Sequence, residues 1–557
     1  MSNANRWIIS ILSVIALLIA AFIWLRSHVF DRLDVSIEKR LTSLKLSGFN
    51  VHYDSLSVDW WDGVIKVDKL VLEKNAYDTT CIYPEFISVE RVRAEGIGLL
   101  QLVFNSTLSV ESIYLDQPNI VLRENSVLEL DSASEKENEF TLLADHVHIR
   151  SGNFTFTDSA ACKLIAEVKS DLSVAGLALD FHIGSPFKYG ADILTMNGSE
   201  IQMPRDFYTM KVAEVNMNFL ERALTIDSIR IIPAFGPVAF GRKHGFEIDR
   251  FEGLIPYFRA NDLSFSFEDT AVVKSRSAEI QFYLKVFRDK RLRFVVTKKL
   301  LPVSQLRSLP FALHIDTLKV TKSYVQYDEI AEGTVEPGRV FFDNLYAEFR
   351  NVDNTSHKGE MQLTARSNLL GHGSVNLFAT FPLAELKRST VTGSVENFNL
   401  PELNPMLTPT TRLMVESGKM KKLSFNFTFN TVRADGKIDM NYENLKVVSF
   451  KDEEKTKGEE LEKDNFKTFI MNAFVFRKNM DEDVPEDKRT GTIMYLRDDS
   501  RSVFNFWVKS VLSGIKSAYN MDKAEAKKSG REIKKEERLS RREARKAKRA
   551  EKKKERG

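Results

Sequence analysis

Along much of the chain, apolar and polar residues alternate for five or six positions, pause, and alternate again. Val110-Glu111-Ser112-Ile113-Tyr114-Leu115 pauses at Gln117-Pro118 and resumes as Ile120-Val121-Leu122-Arg123. Asp145-His146-Val147-His148-Ile149 pauses at Ser151-Gly152 and resumes as Phe154-Thr155-Phe156-Thr157-Asp158. Asp316-Thr317-Leu318-Lys319-Val320 pauses near Lys322-Ser323 and resumes as Val325-Gln326-Tyr327-Asp328. Ile226-Asp227-Ser228-Ile229-Arg230-Ile231 stops at Pro233. A period of two gives each strand one buried and one wet face. Repetition of such a unit predicts a long one-sided sheet rather than a compact catalytic globule. The apolar face of that sheet needs a cover, and lipid is one candidate.

Other elements follow from the same pattern. Leu33, Ile37, Leu41 and Leu44 predict a helix over 27–46, stopped by Gly48. Asp62-Gly63 predicts a hairpin between strands at 56–60 and 64–72. A strand at 87–92 leads to a short helical stretch at 98–104, and 124–139 reads as a polar loop. Further strands are predicted at 168–179, 207–219, 224–232, 263–267 and 280–286, with loops at 235–237 and 241–245. Residues 300–309 read as a short helical or loop boundary and 311–448 as strand throughout, ending with 423–429 and 437–442. The charge run 451–462 reads as a solvated loop and 465–480 as an apolar helix or strand. Val503, Phe504, Phe506, Trp507, Val511, Leu512 and Ile515 form the apolar stripe of an amphipathic helix. That helix either docks on a membrane or partner, or caps the last strand.

Residues 7–25 are uncharged and almost wholly apolar. As a helix they would span roughly 28 Å, the thickness of a bilayer's hydrocarbon core. Trp7 and Trp24 fall where interfacial aromatics anchor such a helix. No small-residue cleavage site follows, so an uncleaved single-pass anchor is expected. Only Arg6 precedes it, whereas Arg26, Arg32, Lys39 and Arg40 follow, and the positive-inside rule alone would leave the body in the cytoplasm.

Composition adds little to the fold and something to the partners. The 557 residues are 28% charged and 43% hydrophobic, with 39 Phe against 5 Trp and 14 Tyr. Phenylalanine suits a face that touches acyl chains, and equally an ordinary core. Net charge is +3, yet residues 522–557 carry 17 Lys+Arg against 8 Asp+Glu, so the remainder is mildly acidic. Cys81 and Cys162 form no metal pattern; a disulfide and two unpaired thiols both stay open. His146 and His148 share a strand face without a further metal ligand at fixed spacing, and the acidic clusters at 481–483 and 498–499 read as solvated loops, with weak Ca2+ binding as the alternative. No P-loop, G-x-S-x-G or G-x-G-x-x-G occurs, so neither an enzyme nor a cofactor is expected. The basic run suits lipid headgroups or an acidic polymer, and nucleic acid is not an expected partner.

The segment 88–125, SVERVRAEGIGLLQLVFNSTLSVESIYLDQPNIVLREN, resembles the AsmA-like proteins of Gram-negative envelopes. Ile113, Leu115, Pro118, Ile120 and Leu122 occupy the positions of that family's repeated phrase. Gly371-His372-Gly373-Ser374, Asn404-Pro405, Ser417-Gly418, Gly436, and the run 442–447 resemble the DUF748 domain, as does the stretch from Gly491-Thr492-Ile493 to Gly514-Ile515-Lys516. The resemblance covers about 45–520; Lys322-Ser323, where the family has glycine, and the basic tail depart from it. It implies a mainly β fold: an N-terminal transmembrane helix, then a long, twisted antiparallel β-groove built from repeats, with short helices at both ends. The implied divisions are an anchor (1–26), a connecting helix (27–48), two β regions (49–309 and 310–450), a helical region (451–520) and the tail (521–557). It also implies an inner-membrane protein with its body in the periplasm, against the charge count. Its expected partners are phospholipid, the inner membrane and an outer-membrane or periplasmic protein, with a role in outer-membrane biogenesis and lipid homeostasis. The alternative is an assembly scaffold that carries no lipid. Expected groove-lining residues are Ile113, Leu115, Ile120, Leu122, Val147, Ile149, Phe154, Phe156, Leu318, Val320, Val325, Tyr327, Phe425 and Phe427. Some 25 strands at about 4.8 Å would give about 120 Å, which leaves a shuttle, a partial bridge or an oligomer open.

Overall fold

The computed structural model of the protein describes residues 45–46, 49–59, 62–74, 86–97, 107–123, 140–158, 163–181, 188–203, 207–266, 272–384, 387–450, 477–481, 483–485 and 489–519. The apolar segment 7–25 with Trp7 and Trp24, the stretches 98–104 and 124–139, both cysteines, 451–476 and the basic segment lie outside the described residues. Among the described residues no helix is long and apolar enough to cross a membrane.

The chain is mainly β, in a long mixed sheet. The strands are β1 Lys45–Leu46, β2 Phe49–His52, β3 Ser55–Asp59, β4 Val64–Lys74, β5 Phe86–Glu95, β6 Thr107–Asp116, β7 Asn119–Arg123, β8 Phe140–Thr157, β9 Leu164–Phe181, β10 Lys188–Gly190, β11 Ile193–Gln202, β12 Tyr208–Asn218 and β13 Ala223–Pro233. They continue as β14 Asp249–Asn261, β15 Ser264–Ser266, β16 Val272–Asp289, β17 Ala312–Ile330, β18 Gly338–Asp353, β19 Glu360–Leu369, β20 Gly373–Pro382, β21 Ser389–Asn399, β22 Leu413–Phe429, β23 Arg433–Ser449 and β24 Thr490–Leu496. Two compact units share them. The first holds residues up to 240 with 250–284 and 310–319; the second holds 241–249, 285–309 and everything from 320.

Several expectations need correction. Lys45–Leu46 is a strand, so no helix runs through to 46. A helix, Pro237–His244, stands where a loop was expected, entered through a proline that needs no partner for its missing N–H. The run 311–448 is broken at Leu400–Leu403 and Asn404–Thr411, short helices whose Pro401, Pro405 and Pro409 cannot serve a ladder. Strands β11 and β14 were not anticipated. The β3–β4 hairpin does turn at Asp62-Gly63, with Gly63 at φ +60°.

In the first unit, β6 and β7 run parallel to β8, against the expected antiparallel order. The 16 residues between β7 and β8 are enough for a crossover. The outcome is that two copies of the repeated phrase lie side by side: Ile113 pairs Val147, Leu115 pairs Ile149, Ile120 pairs Phe154 and Leu122 pairs Phe156. Their pauses also meet, since Gln117 N–H donates to the Arg150 carbonyl and Asn153 N–H to the Pro118 carbonyl, each at 2.8 Å.

The pauses at Gln117 (φ +50°), Ser151 (+52°) and Lys322 (+38°) are each a single residue with left-handed backbone, and Gly198 (+60°) and Ser228 (+52°) interrupt β11 and β13 in the same way. Apolar residues on either side are an odd number apart, as in Leu115 to Ile120 or Ile226 to Ile229. Strict alternation would send them to opposite faces. The pause residue supplies the extra half-step, in the manner of a β-bulge, and the apolar face continues across it. Both flanking residues are indeed buried at Leu115 and Ile120, and at Ile149 and Phe154. The Ser151 N–H is satisfied by the Asp171 carboxylate at 2.6 Å. By register, Gly198, Ala213, Ser228 and Pro256 stand in one row across β11–β14, where the ladder is interrupted anyway. A proline inside β14 therefore costs no hydrogen bond there.

The second unit is an antiparallel meander through β18 to β24. One apolar row crosses it as Phe349, Leu363, Ala379, Val391, Phe427, Gly436 and Ile493. The helix Val503–Ala518 closes its edge. Ser517 and Ser513 hydroxyls accept from the N–H groups of Thr492 and Met494 on the outer side of β24, at 3.2 and 3.3 Å. Phe506 packs on Phe429 and Tyr495, and Trp507 stacks on Phe381. Of the two expected roles, this helix performs the cap. The fit relies on glycine: a Cβ on Gly491 would lie 2.0 Å from the Gly514 carbonyl oxygen. We expect Gly491→Ala to cost about 1–3 kcal/mol by overpacking. A lower urea midpoint together with faster hydrogen exchange in 503–518 would show it; wild-type exchange would place the helix differently.

Candidate functional site

The first unit's apolar face falls into two stretches that differ in how completely it is covered. From Val51 to Leu179 it forms a closed core. Ile113, Leu115, Ile120, Leu122, Val147, Ile149, Phe154 and Phe156 all belong to it, each with no more than 4% of its surface exposed. These eight fill their own face and present no free lining.

Beyond β9 the face opens. Register places Leu172, Met196, Val215, Ile226 and Phe258 in one row across β9 and β11–β14. A second row, past the left-handed residues, runs through Val168, Ile201, Met210 and Ile231, and a third through Val212, Ile229 and Ile255. Leu172 and Val212 are buried, and the others are partly buried, Val168 and Met196 against the closed core and Phe258 against the cluster formed by a fourth row. Leu194, Met217, Leu224 and Ala260 form a fourth row, which closes into a small cluster with Leu263 and Ala278. Leu318 packs against that cluster.

The reverse face is mostly polar and self-paired, with Ile232 and Leu254 among its apolar members and Ile232 40% exposed. Lys211 meets Glu200 at 3.0 Å, Thr209 donates to Gln202 at 2.8 Å, and the Tyr257 hydroxyl donates to Glu279 at 2.6 Å. Further back, Tyr114, His148 and His146 stack in series, with Arg150 over the Tyr114 ring. Burial first, then the charges of His146 and Arg150, hold the His148 pKa below the usual histidine value. Among the described residues no group of three or more His, Cys, Asp or Glu is placed to hold a metal ion.

In the second unit Val320 and Phe427 are buried, while Val325, Tyr327 and Phe425 are half-buried. Phe427 sits between Phe425 and Phe429, in aromatic contact with both. Tyr327 is no apolar lining residue. Its hydroxyl donates to Glu329 at 2.6 Å, whose other oxygen accepts from Lys290 at 2.7 Å. Burial and the Glu329 charge push the phenol well above its usual range.

The partly buried residues Met196, Ile201, Met210, Val215, Ile226, Ile229, Ile231, Ile255 and Phe258 were not anticipated on this face. The signal for them lay partly in the 226–231 phrase; the flanking β11 and β14 show none. Comparison with protein-family models and with curated proteins returns no match.

Proposed function

We propose that the protein binds phospholipid acyl chains along the open apolar face of β11–β14, as an AsmA-like, inner-membrane-anchored protein of the periplasm that serves outer-membrane lipid homeostasis. The observation that carries this reading is the set of incompletely covered apolar rows, backed by a mostly polar, self-paired reverse face. Each methylene moved from water onto such a surface is worth about 0.8 kcal/mol. A chain of about 16 carbons therefore gains on the order of 13 kcal/mol when fully covered, with no catalytic group required. The apolar segment 7–25 is consistent with an anchor.

A photo-crosslinking amino acid placed at Ile226 or Phe258 in the full chain, followed by lipid mass spectrometry, tests the reading. We expect phospholipid adducts at these two positions and none at Thr225 or Arg259 on the reverse face. Adducts on neither face, or on both equally, would sink it.

The second reading is a scaffold that affects outer-membrane protein insertion without carrying lipid. It draws support from the closed core of residues 51–179, where the sheet covers its own face. It predicts lipid-free protein in the same experiment.

A further inference from the structure

The capping helix Val503–Ala518 has two apolar sides, and the sheet uses only one. Phe506, Ser510, Gly514 and Ala518 are its buried residues, one to each turn. On the opposite side Phe504, Val508 and Leu512, spaced by four, are 49%, 40% and 41% exposed. Val511 and Ile515 extend this outer stripe and are half-exposed, and the stripe spans an arc of roughly 100° on a helical projection. The exposed Lys509 and Lys516 border it on one flank. Phe504 also meets the Phe342 ring of β18, at 5.9 Å between centroids.

A cap needs one apolar side, and three large hydrophobics in water on the other are costly unless something covers them. Charge identifies the cover. Two lysines edge the stripe, and soon after the helix the chain carries 17 Lys+Arg against 8 Asp+Glu in residues 522–557. A helix with an apolar stripe bordered by lysine, next to a polybasic segment, fits a surface that is apolar a few ångströms down and negative on top. A folded acidic protein would match the charge without accounting for the stripe, and nucleic acid would account for it even less. We propose that the outer stripe of this helix seats on an anionic phospholipid surface, with Lys509 and Lys516 holding the headgroups. This contact does not depend on the sheet carrying lipid.

The test uses the full chain held in phosphatidylcholine nanodiscs, so that its own apolar N-terminal segment is already occupied. It is mixed with vesicles of phosphatidylcholine alone or of phosphatidylcholine with phosphatidylglycerol, and co-flotation is measured. We expect capture by the anionic vesicles only, weakening as salt rises. The triple variant Phe504→Ser, Val508→Ser, Leu512→Ser should lose capture by about tenfold or more while melting like wild type, since all three side chains are exposed. Lys509→Glu with Lys516→Glu, which leaves the helix–sheet contact untouched, should weaken capture independently. Equal capture by neutral and anionic vesicles would overturn the proposal. So would no capture at all, or wild-type capture by a triple variant that melts like wild type, which would assign binding to the basic segment alone.

Discussion

Replacing Ser151 with proline is expected to abolish the native first unit. This residue lies in the middle of β8 with φ +52° and lets Ile149 and Phe154, five positions apart, share one face. Proline holds φ at about −65° and has no N–H to give to Asp171, so the half-step is lost and one half of the strand turns over. If the half before position 151 keeps its place, Phe154 and Phe156 move to the polar side while Asn153 and Thr155 turn inward. Exposing two phenylalanines costs about 1.5–3 kcal/mol each, and burying polar groups without partners adds about 1–3 kcal/mol apiece. The sum rivals the whole stability of an ordinary domain, about 5–15 kcal/mol. We therefore expect Ser151→Pro to lose its cooperative melt and become protease-sensitive within 140–181. Ser151→Gly should stay within about 1 kcal/mol of wild type, because glycine accepts the left-handed conformation. A proline variant that melts like wild type would show that Ser151 does not set the face.

The strand pattern was legible because alternation and pause are both written in local sequence. Ile113 to Leu122 and Val147 to Phe156 could be matched to each other by eye, and they pair residue for residue. Their direction was not legible, since alternation looks the same in parallel and antiparallel ladders and only the long connection favours a crossover. Strand β14 was missed because Pro256 argues against a central strand, and the interrupted row at Ser228 that admits it is a property of the neighbouring strand. The short helices near 237–244 and 400–411 were hidden by prolines that signal loops as readily as helix starts.

The candidate site was less legible than the fold, for a different reason. Alternation tells which face is apolar but not how thoroughly that face is covered. Phe154 and Ile226 both lie on the apolar face of one unit, yet one is buried in a closed core and the other is only partly covered. What separates them is packing between strands far apart in sequence, which no local period records. A charge placed at Phe154 would report on folding; the same charge at Ile226 would report on whatever covers the open face. Tyr327 shows a related limit, because its alternating position gave no sign of the Glu329 and Lys290 partners that claim its hydroxyl.

Glu247→Ala is expected to release the capping helix from the second unit. The Glu247 side chain is only 3% exposed and serves two guanidinium groups, Arg288 at 3.3 Å and Arg501 at 2.5 Å. Burial works against the Arg288 charge, but its paired hydrogen bonds to Asp249, both 2.6 Å, hold its pKa above the usual arginine value. Arg288 would therefore keep a partner after the substitution. Arg501 would keep only Asp498 at 3.8 Å and the face of Phe294. Removing one member of a buried ion network costs about 3–5 kcal/mol, because the charges left behind are uncompensated. The damage should concentrate at Arg501, which stands two residues before Val503, where the capping helix begins. Hydrogen exchange should then accelerate in 497–518, with β9 and β11–β13 of the first unit unchanged. Glu247→Gln, which keeps a neutral acceptor, should cost less. Truncating the other end, Arg501→Ala, leaves Glu247 paired with Arg288 and should cost less again, about 1–3 kcal/mol. If Arg501→Ala instead cost as much as Glu247→Ala, Arg501 rather than the shared carboxylate would be what fastens the helix.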